Sequence, residues 1–234
     1  MNYWEPDEYI DARIDELKNI GDTYKESLLP RWLNQPHYVE IWTEKKAMVG
    51  TFKSILGDKQ VAIVPFGGYH SVSYLYNNCE RLARLQNKEK EIHILYFGDV
   101  DPTGENIQQV IEDKLVQYGV YDIDFKRIAI TDEQIEDFKL PTKVDADTYE
   151  KLLNDSRKKA FMKKHDDKLY QVEVDALPAL KPDEFKAMIL EPIDGYFDKD
   201  IYEEVLNEHS DESLNKFVNE RVKFLDDEDI DKTS

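Results

Sequence analysis

Residues 91–104 read EIHILYFGDVDPTG, and this stretch decides the fold. Its first seven residues include the large aliphatic and aromatic side chains that favour a buried strand. Two aspartates, Asp99 and Asp101, follow at once, and Pro102 suits the first turn of a helix. A strand that passes into a helix through a short acidic turn is typical of a βα unit in a parallel sheet.

The segments around this stretch repeat the same alternation of strand and helix. Strands are predicted over 38–44, 61–66, 91–97 and 125–131, and the intervening helices over 45–56, 71–85 and 103–118. Weaker patterns predict helices over 8–20, 133–138, 149–164, 183–190 and 201–225, and a late strand over 170–175. We therefore predict an α/β fold, a Rossmann-like, mainly parallel four-stranded sheet flanked by helices, with a helical C-terminal extension.

The pattern divides the chain into four parts. Residues 1–36 form an N-terminal helical arm and linker, and residues 37–180 form the α/β domain. Residues 181–225 form the helical extension, and residues 226–234 form an acidic tail that we predict to be disordered.

Composition excludes several classes of protein. The chain has 234 residues, and 31 Lys and Arg against 50 Asp and Glu give 31 − 50 = −19. A single cysteine, Cys79, excludes an internal disulfide scaffold. The apolar runs are too short to span a bilayer, and residues 1–7 lack the features of a signal peptide, so we predict a cytoplasmic protein without membrane partners. The acidic charge argues against a general nucleic-acid coat, but it allows an enzyme that holds DNA through a local basic patch.

The candidate catalytic residues are three carboxylates, Glu44, Asp99 and Asp101. In a parallel sheet the ligand site lies beyond the carboxyl ends of the strands, which brings four segments together: Glu44, Gly67-Gly68, residues 99–104 and Thr131. Carboxylates in this pattern suit Mg²⁺ and leave one group for proton transfer. The structural alternatives are that Asp101 caps a helix, that Asp99 is a turn residue and that Glu44 is an exposed strand end.

Three motifs in a fixed order resemble the Toprim domain of topoisomerases, bacterial primases and several nucleases. They are Glu44-Lys45-Lys46, Gly67-Gly68-Tyr69 and residues 98–104 with the pattern GDVDPTG. The variant is similar to the A subunit of topoisomerase VI. Further similarity lies in segments 29–36, 128–135, 140–141, 155–157 and 173–178, so that the resemblance covers roughly residues 29–195.

The resemblance implies a Toprim-like fold and metal-assisted cleavage, or cleavage and rejoining, of a nucleic-acid backbone, most readily DNA. It assigns Glu44 as a metal ligand and general acid or base, and Asp99 and Asp101 as ligands of Mg²⁺, with Mn²⁺ as a substitute. The related subunits carry an attacking tyrosine in a winged-helix domain, and only residues 1–36 precede the first strand here. We therefore expect either a protein partner that supplies the tyrosine or the DNA-binding domain, or water as the nucleophile; a homodimer is a further option.

Candidate nucleic-acid contacts fall into two groups. The first group surrounds the strand ends and contains Lys45, Gly67 and Gly68. The second group is the one dense basic run of the chain, and it contains Arg157, Lys158, Lys159, Lys163 and Lys164. The alternative for the run is a solvated helix face. Glu173 and Asp175 form either a second cation site or a polar strand face.

Two other functions fit the same residues. Asp99 to Thr103 satisfies the DxDxT pattern of haloacid-dehalogenase-like phosphatases, in which Asp99 would form an aspartyl-phosphate, Asp101 would act as acid or base, and Thr131 would stand in the second motif. Two predicted strands precede this motif, however, and the pattern normally lies on an early strand. The other candidate is a non-catalytic interaction subunit, which the net charge and the missing tyrosine domain allow.

Overall fold

The structure is a computed structural model that describes residues 31–32, 34–66, 72–86 and 89–208. The chain divides into two compact units, Pro36–Phe197 and Met1–Gln35 with Asp198–Ser234. The predicted helix over 8–20, the Gly67-Gly68 turn, and the predicted extension and tail beyond residue 208 lie outside the described residues.

The larger unit contains the predicted alternation of strands and helices. The strands are β1 (His37–Thr43), β2 (Ala62–Pro65), β3 (Glu91–Phe97) and β4 (Asp124–Ala129). The helices are α1 (Val49–Leu56), α2 (Val72–Gln86), α3 (Pro102–Gln117), α4 (Asp132–Asp137), α5 (Ala146–Asn154), α6 (Lys158–Lys164), α7 (Ala176–Leu180) and α8 (Pro182–Gly195). A 3-10 turn over Lys46–Met48 leads into α1.

The four strands form one parallel sheet in the order β2-β1-β3-β4. β1 pairs with β3 along its whole length, from His37 opposite Glu91 to Thr43 opposite Phe97. All residues of β3 after the first are buried, as expected for a central strand covered on both faces. The predicted α/β fold with a parallel four-stranded sheet is confirmed.

Helices cover both faces of the sheet. Trp42 and Tyr96 belong to a core that includes Cys79 of α2 and Ile111 of α3. On the other face the ring of Phe97 packs at 5.0 Å from Phe52 of α1 and at 5.8 Å from Phe185 of α8.

The chain therefore leaves β1 towards one face and β3 towards the other. In a doubly wound sheet the crevice at such a switch point is the usual place for a ligand. This topology therefore indicates a ligand site at the carboxyl ends of β1 and β3, independently of any sequence motif.

Two sequence predictions about secondary structure were wrong. The helix predicted over 149–164 is broken into α5 and α6, because Asp155 is extended and its Oδ1 accepts hydrogen bonds from Arg157 N and Nε at 2.8 Å. The strand predicted over 170–175 is a single antiparallel bridge between Val172 and Val100. It ends where Asp175 begins α7.

The C-terminal helices are divided between the units. α8 lies within Pro36–Phe197 and packs on the sheet through Phe185, whereas the sequence placed the boundary at 180/181. Helix α9 (Lys199–Glu208) belongs to the second unit, in which the buried amide of Gln35 bonds both backbone groups of Asp198 at 2.7 and 2.8 Å. None of the helices in the described residues has the length and apolar character needed to cross a membrane.

Candidate functional site

Glu44 and Asp99 meet at the switch point between β1 and β3. Glu44 follows the last residue of β1, and its backbone N donates to the carbonyl of Phe97 at 3.2 Å. The side-chain Oε2 of Glu44 accepts from the backbone N of Asp99 at 3.4 Å. Parallel pairing of the two strands thus places the two predicted carboxylates side by side.

Glu44 is a buried carboxylate held by neutral donors. Its side chain is among the buried polar groups, with 8% of the residue exposed, and the hydroxyl of Tyr96 donates to Oε1 at 2.6 Å. Burial raises the pKa of Glu44 to about 7, and the nearby charge of Asp99 acts in the same direction against the hydrogen bonds. A carboxyl group with this pKa exchanges its proton near neutral pH, which suits proton transfer.

Asp99 is also largely buried, although a cation lies near it. Its Oδ1 accepts from the backbone N of Val174 at 2.7 Å, and the Nζ of Lys45 lies 3.7 Å from the same oxygen. Burial raises the pKa of Asp99 to about 6, because it outweighs these two stabilising contacts. The segment around residue 174 therefore contacts the carboxyl end of β3, and it fixes the orientation of the Asp99 carboxylate.

Asp101 caps helix α3. Its Oδ1 accepts from the backbone N of Thr103 and of Gly104, both at 2.8 Å. The capping alternative raised by the sequence is thus realised. Within the described residues no hydrogen bond is made to Oδ2, so one oxygen of Asp101 remains to bind a ligand.

Gly104 is required by the closeness of the site to the first turn of α3. A Cβ at this position would lie 2.5 Å from the carbonyl oxygen of Asp99 and 3.2 Å from Oε1 of Glu44. The absence of a side chain at Gly104 therefore allows the backbone of Asp99 to approach the first turn of α3 closely.

The three predicted carboxylates are neighbours but do not form a ready-made chelate. Among the described residues, one group of histidine, cysteine or carboxylate side chains brings three potential ligand atoms within 4.8 Å of one another, and it is His37, Glu91 and His93. Glu44, Asp99 and Asp101 are instead held by Tyr96 and by backbone N–H groups.

Lys45 is surrounded by carboxylates, whereas the sequence predicted a phosphate contact. Its Nζ lies 2.7 Å from Glu173 Oε2, 3.2 Å from Asp175 Oδ2 and 3.7 Å from Asp99 Oδ1. Glu173 and Asp175 therefore belong to the site and are not part of a strand face. The signal in the sequence was their i, i+2 spacing, which repeats that of Asp99 and Asp101.

Arg127 was missed by the sequence analysis. Its Nη1 donates to the carbonyls of Gly98, Asp99 and Ile130 at 3.2 to 3.3 Å. Its Nη2 is buried without a hydrogen bond among the described residues, at 3.8 Å from Oε1 of Glu105. Arg127 thus stabilises the backbone of the turn that contains Asp99. The local sequence of β4 does not indicate this role.

The basic run lies beside the first turn of α3. Arg157 donates to Thr103 Oγ1 at 2.9 Å and to Asp155 Oδ2 at 2.7 Å, and Lys164 pairs with Glu105. Lys158 donates to the carbonyl of residue 153. Lys159 and Lys163 are exposed, and within the described residues neither has a hydrogen bond or ion pair. The run therefore offers exposed cations next to the acidic strand ends.

Thr131 has a local role. Its hydroxyl accepts from the backbone N of Gln134 at 3.3 Å, and the two residues form a capping box at the start of α4. The phosphatase alternative placed Thr131 in its second motif. Of the other candidates, Gly67 and Gly68 lie outside the described residues.

Comparison with family models, curated proteins and solved structures finds no match to this chain. The Toprim resemblance thus rests on the sequence motifs.

Proposed function

We propose that the protein is a divalent-cation-dependent enzyme that cleaves a nucleic-acid backbone, with DNA as the preferred substrate. The observation that carries the proposal is the pair of buried carboxylates at the switch point, whose pKa values burial raises to about 7 for Glu44 and about 6 for Asp99. Perturbed carboxylates in a crevice are a mark of a functional site.

The donor set suits a hard cation such as Mg²⁺, with Mn²⁺ as a substitute. Among the described residues, three carboxylates lie within 4 Å of the Lys45 ammonium, those of Asp99, Glu173 and Asp175, and Glu44 and Asp101 are neighbours of Asp99. Oxygen donors of this kind are typical of Mg²⁺ sites that also use phosphate oxygens and water. Asp99 and Asp101 would hold the cation through their remaining oxygens.

The protein groups have separate roles in this proposal. A bound cation would stabilise the charge that develops on the phosphate oxygens. Glu44 accepts a proton from the attacking water and returns it to the leaving oxygen, for which a pKa near 7 is well placed. Tyr96 and the backbone N of Asp99 hold the Glu44 carboxylate in place during the transfer.

The neighbouring basic helix supports a polyanionic substrate. Lys159 and Lys163 are exposed on α6, whose start is joined to the first turn of α3 through Arg157 and Thr103. Contacts between such lysines and phosphates weaken as the salt concentration rises. The positive charge of these lysines locally offsets the net charge of −19. A partner chain that brings further DNA contacts or the tyrosine nucleophile, or a second copy of this chain, fits the same proposal. We propose the cytoplasm as its compartment, consistent with Cys79 as a free, buried thiol.

The test is nicking of supercoiled plasmid with Mg²⁺, with Mn²⁺ and with chelator. We expect cation-dependent nicking by the wild type, loss of at least about 100-fold in Glu44→Gln, as for removal of a general base, and no change in Glu191→Gln, an exposed carboxylate on α8. Nicking that survives Glu44→Gln would overturn the site. Absence of both nicking and Mg²⁺ binding in calorimetry would overturn the function.

A further inference from the structure

A second cluster of potential metal ligands lies at the opposite edge of the sheet. His37 begins β1, and Glu91 and His93 lie in the first three residues of β3. The Nδ1 of His37 lies 3.1 Å from Nε2 of His93 and 3.3 Å from Oε2 of Glu91. All three ligand atoms fall within 4.8 Å of one another.

The strand register is the reason that these side chains converge. His37 is paired directly with Glu91, and His93 lies two residues further along the same strand. Because side chains alternate along a strand, all three project from the same face of the sheet. That face is the one covered by α8, and the ring of Tyr196, which follows α8, stacks on His93 at 3.7 Å.

The hydrogen-bond donors and acceptors of the three side chains are compatible with a cation between them. Nδ1 of His93 lies 2.9 Å from Oδ2 of Asp124 and must donate to it, because a carboxylate only accepts. In the neutral ring, Nε2 of His93 then has no proton, and its lone pair faces Nδ1 of His37. The Glu91 carboxylate is a second acceptor. A single proton on His37 has to serve both acceptors, whereas one metal ion would satisfy all three ligand atoms.

The distances fit such an ion. Two ligands at about 2.0 to 2.1 Å from a tetrahedral Zn²⁺ are separated by about 3.3 Å. The observed separations of 3.1 Å and 3.3 Å from His37 Nδ1 lie close to this value. Metal-binding histidines commonly donate their other nitrogen to a carboxylate. Asp124 provides that partner for His93, and Lys126 and the hydroxyl of Tyr196 fix Asp124 at 2.9 and 3.0 Å.

We propose that His37, Glu91 and His93 form a binding site for a first-row transition-metal dication of the Zn²⁺ type, with solvent completing the coordination. Two imidazoles and one carboxylate favour such an ion over Mg²⁺, which takes oxygen ligands. His93 is buried, but the side chains of His37 and Glu91 are 32% and 71% exposed, so an ion and a water molecule reach the site from solvent.

This site is independent of the proposed nuclease site. Six residues of extended chain, about 20 Å, separate His93 from Asp99. A bound ion would join the amino ends of β1 and β3, and it would stabilise the folded state by an amount that rises with the logarithm of one plus its free concentration divided by its Kd.

The experiment is calorimetric titration of the full chain with Zn²⁺ in the presence of a competing chelator, repeated with Co²⁺ to record its visible absorption. We expect one site in the wild type. His37→Gln and Glu91→Gln should each weaken it by at least about 100-fold, and Asp124→Asn by about 10- to 100-fold, because Asp124 accepts the hydrogen bond that orients the His93 ring. Glu80→Gln, an exposed carboxylate on α2, should leave the affinity unchanged. Because the two altered ligands are partly exposed, these variants should fold, which circular dichroism checks.

Two results would overturn the proposal. One is the absence of Zn²⁺ binding by the wild type; the other is equal affinity in the wild type and both ligand variants, which would place the ion elsewhere in the chain. Glu44→Gln should retain full Zn²⁺ affinity, so failure of this site and failure of the nuclease site are separately visible.

Discussion

Two glutamates of the same segment, Glu40 and Glu44, have opposite surroundings. They lie four residues apart, and both side chains point to the face covered by α2 and α3. Glu40 is fully buried and is bonded by both terminal nitrogens of Arg81 and by Trp42 Nε1 at 2.8 Å. Glu44 is buried too, but within the part of the chain that the structure describes it has no ion-pair partner.

The difference separates a structural carboxylate from one that is available to a ligand. A buried charge without a counter-ion lowers the stability of the folded state. Because Glu40 is paired, its ion pair is a sufficient structural reason for a buried carboxylate at this position. Glu44 has no ion-pair partner among the described residues: neutral donors hold its carboxylate, and the more distant Arg127 guanidinium only partly offsets the effect of burial on its pKa. A buried carboxylate at a strand end without an ion-pair partner is a further reason for placing a cation-dependent site there.

The largest effect is expected from Glu40→Gln. The substitution removes the charge that neutralises Arg81, and loss of one partner of a buried pair typically costs about 3 to 5 kcal/mol. Because the side chain of Arg81 is 37% exposed, we expect a decrease of about 3 kcal/mol in the free energy of unfolding. Urea denaturation at pH 8 measures it, and an unchanged midpoint would remove the distinction between the two glutamates.

Glu44→Gln should act in the opposite direction. The folded protein raises the pKa of Glu44 from its usual 4.5 to about 7, so it binds this proton more tightly than the unfolded chain does. Wild-type stability therefore decreases as the pH rises from about 4.5 to 7, and glutamine avoids that loss. We expect the variant to gain about 2 kcal/mol at pH 8 and nothing at pH 4.5. Denaturation curves at both pH values test this, and a loss of stability at pH 8 would contradict it.

Gly104→Ala should be the next most severe change. The added methyl group would meet the carbonyl of Asp99 at 2.5 Å, and overpacking of this kind costs about 1 to 2 kcal/mol. Gly50 of α1 is the matched control, because a Cβ there has no heavy atom within 4 Å. Gly50→Ala should be neutral or stabilising by up to about 1 kcal/mol. Equal effects in thermal denaturation would mean that Gly104 is not held against the site.

The smallest effect concerns pH and Mg²⁺ affinity. Burial raises the pKa of Asp99 to about 6 and that of Glu44 to about 7, so protons compete with a cation in this range. We expect Mg²⁺ to bind about tenfold more weakly at pH 5.5 than at pH 7.5, a difference of about 1.4 kcal/mol. Isothermal titration at the two pH values measures it. An affinity that does not depend on pH would separate the cation from these carboxylates.

Much of the fold was predictable because buried parallel strands leave a strong pattern. Each predicted strand is followed by a helical pattern, and the predicted strand over 91–97 matches β3 residue for residue. The same rule placed Glu44 and Asp99 at neighbouring strand ends, since parallel strands end at one edge. Periodicity failed at Asp155, where a side chain competes with the helix for backbone hydrogen bonds.

The other site contacts depend on details that no local pattern encodes. Lys45 meets Glu173 across 128 residues of chain, and that pairing requires the segment after α6 to close over the β3 end. The convergence of His37 and His93 depends on the register of β1 against β3, and a shift by one residue would turn one of them to the other face. Both contacts join residues that are far apart in the chain, so a local sequence pattern does not predict them.

The most direct test of the central claim is calorimetric titration with Mg²⁺ of the wild type, Asp99→Asn and Asp101→Asn, with Glu191→Gln as control. Asp101→Asn keeps an oxygen acceptor for the N–H groups of Thr103 and Gly104, so it removes the charge without removing the helix cap. We predict one Mg²⁺ site in the wild type and the control, and at least about tenfold weaker binding in both aspartate variants, equivalent to about 1.4 kcal/mol or more. Undetectable binding in the wild type, or equal affinity in all four proteins, would contradict a cation site at the carboxyl ends of β1 and β3.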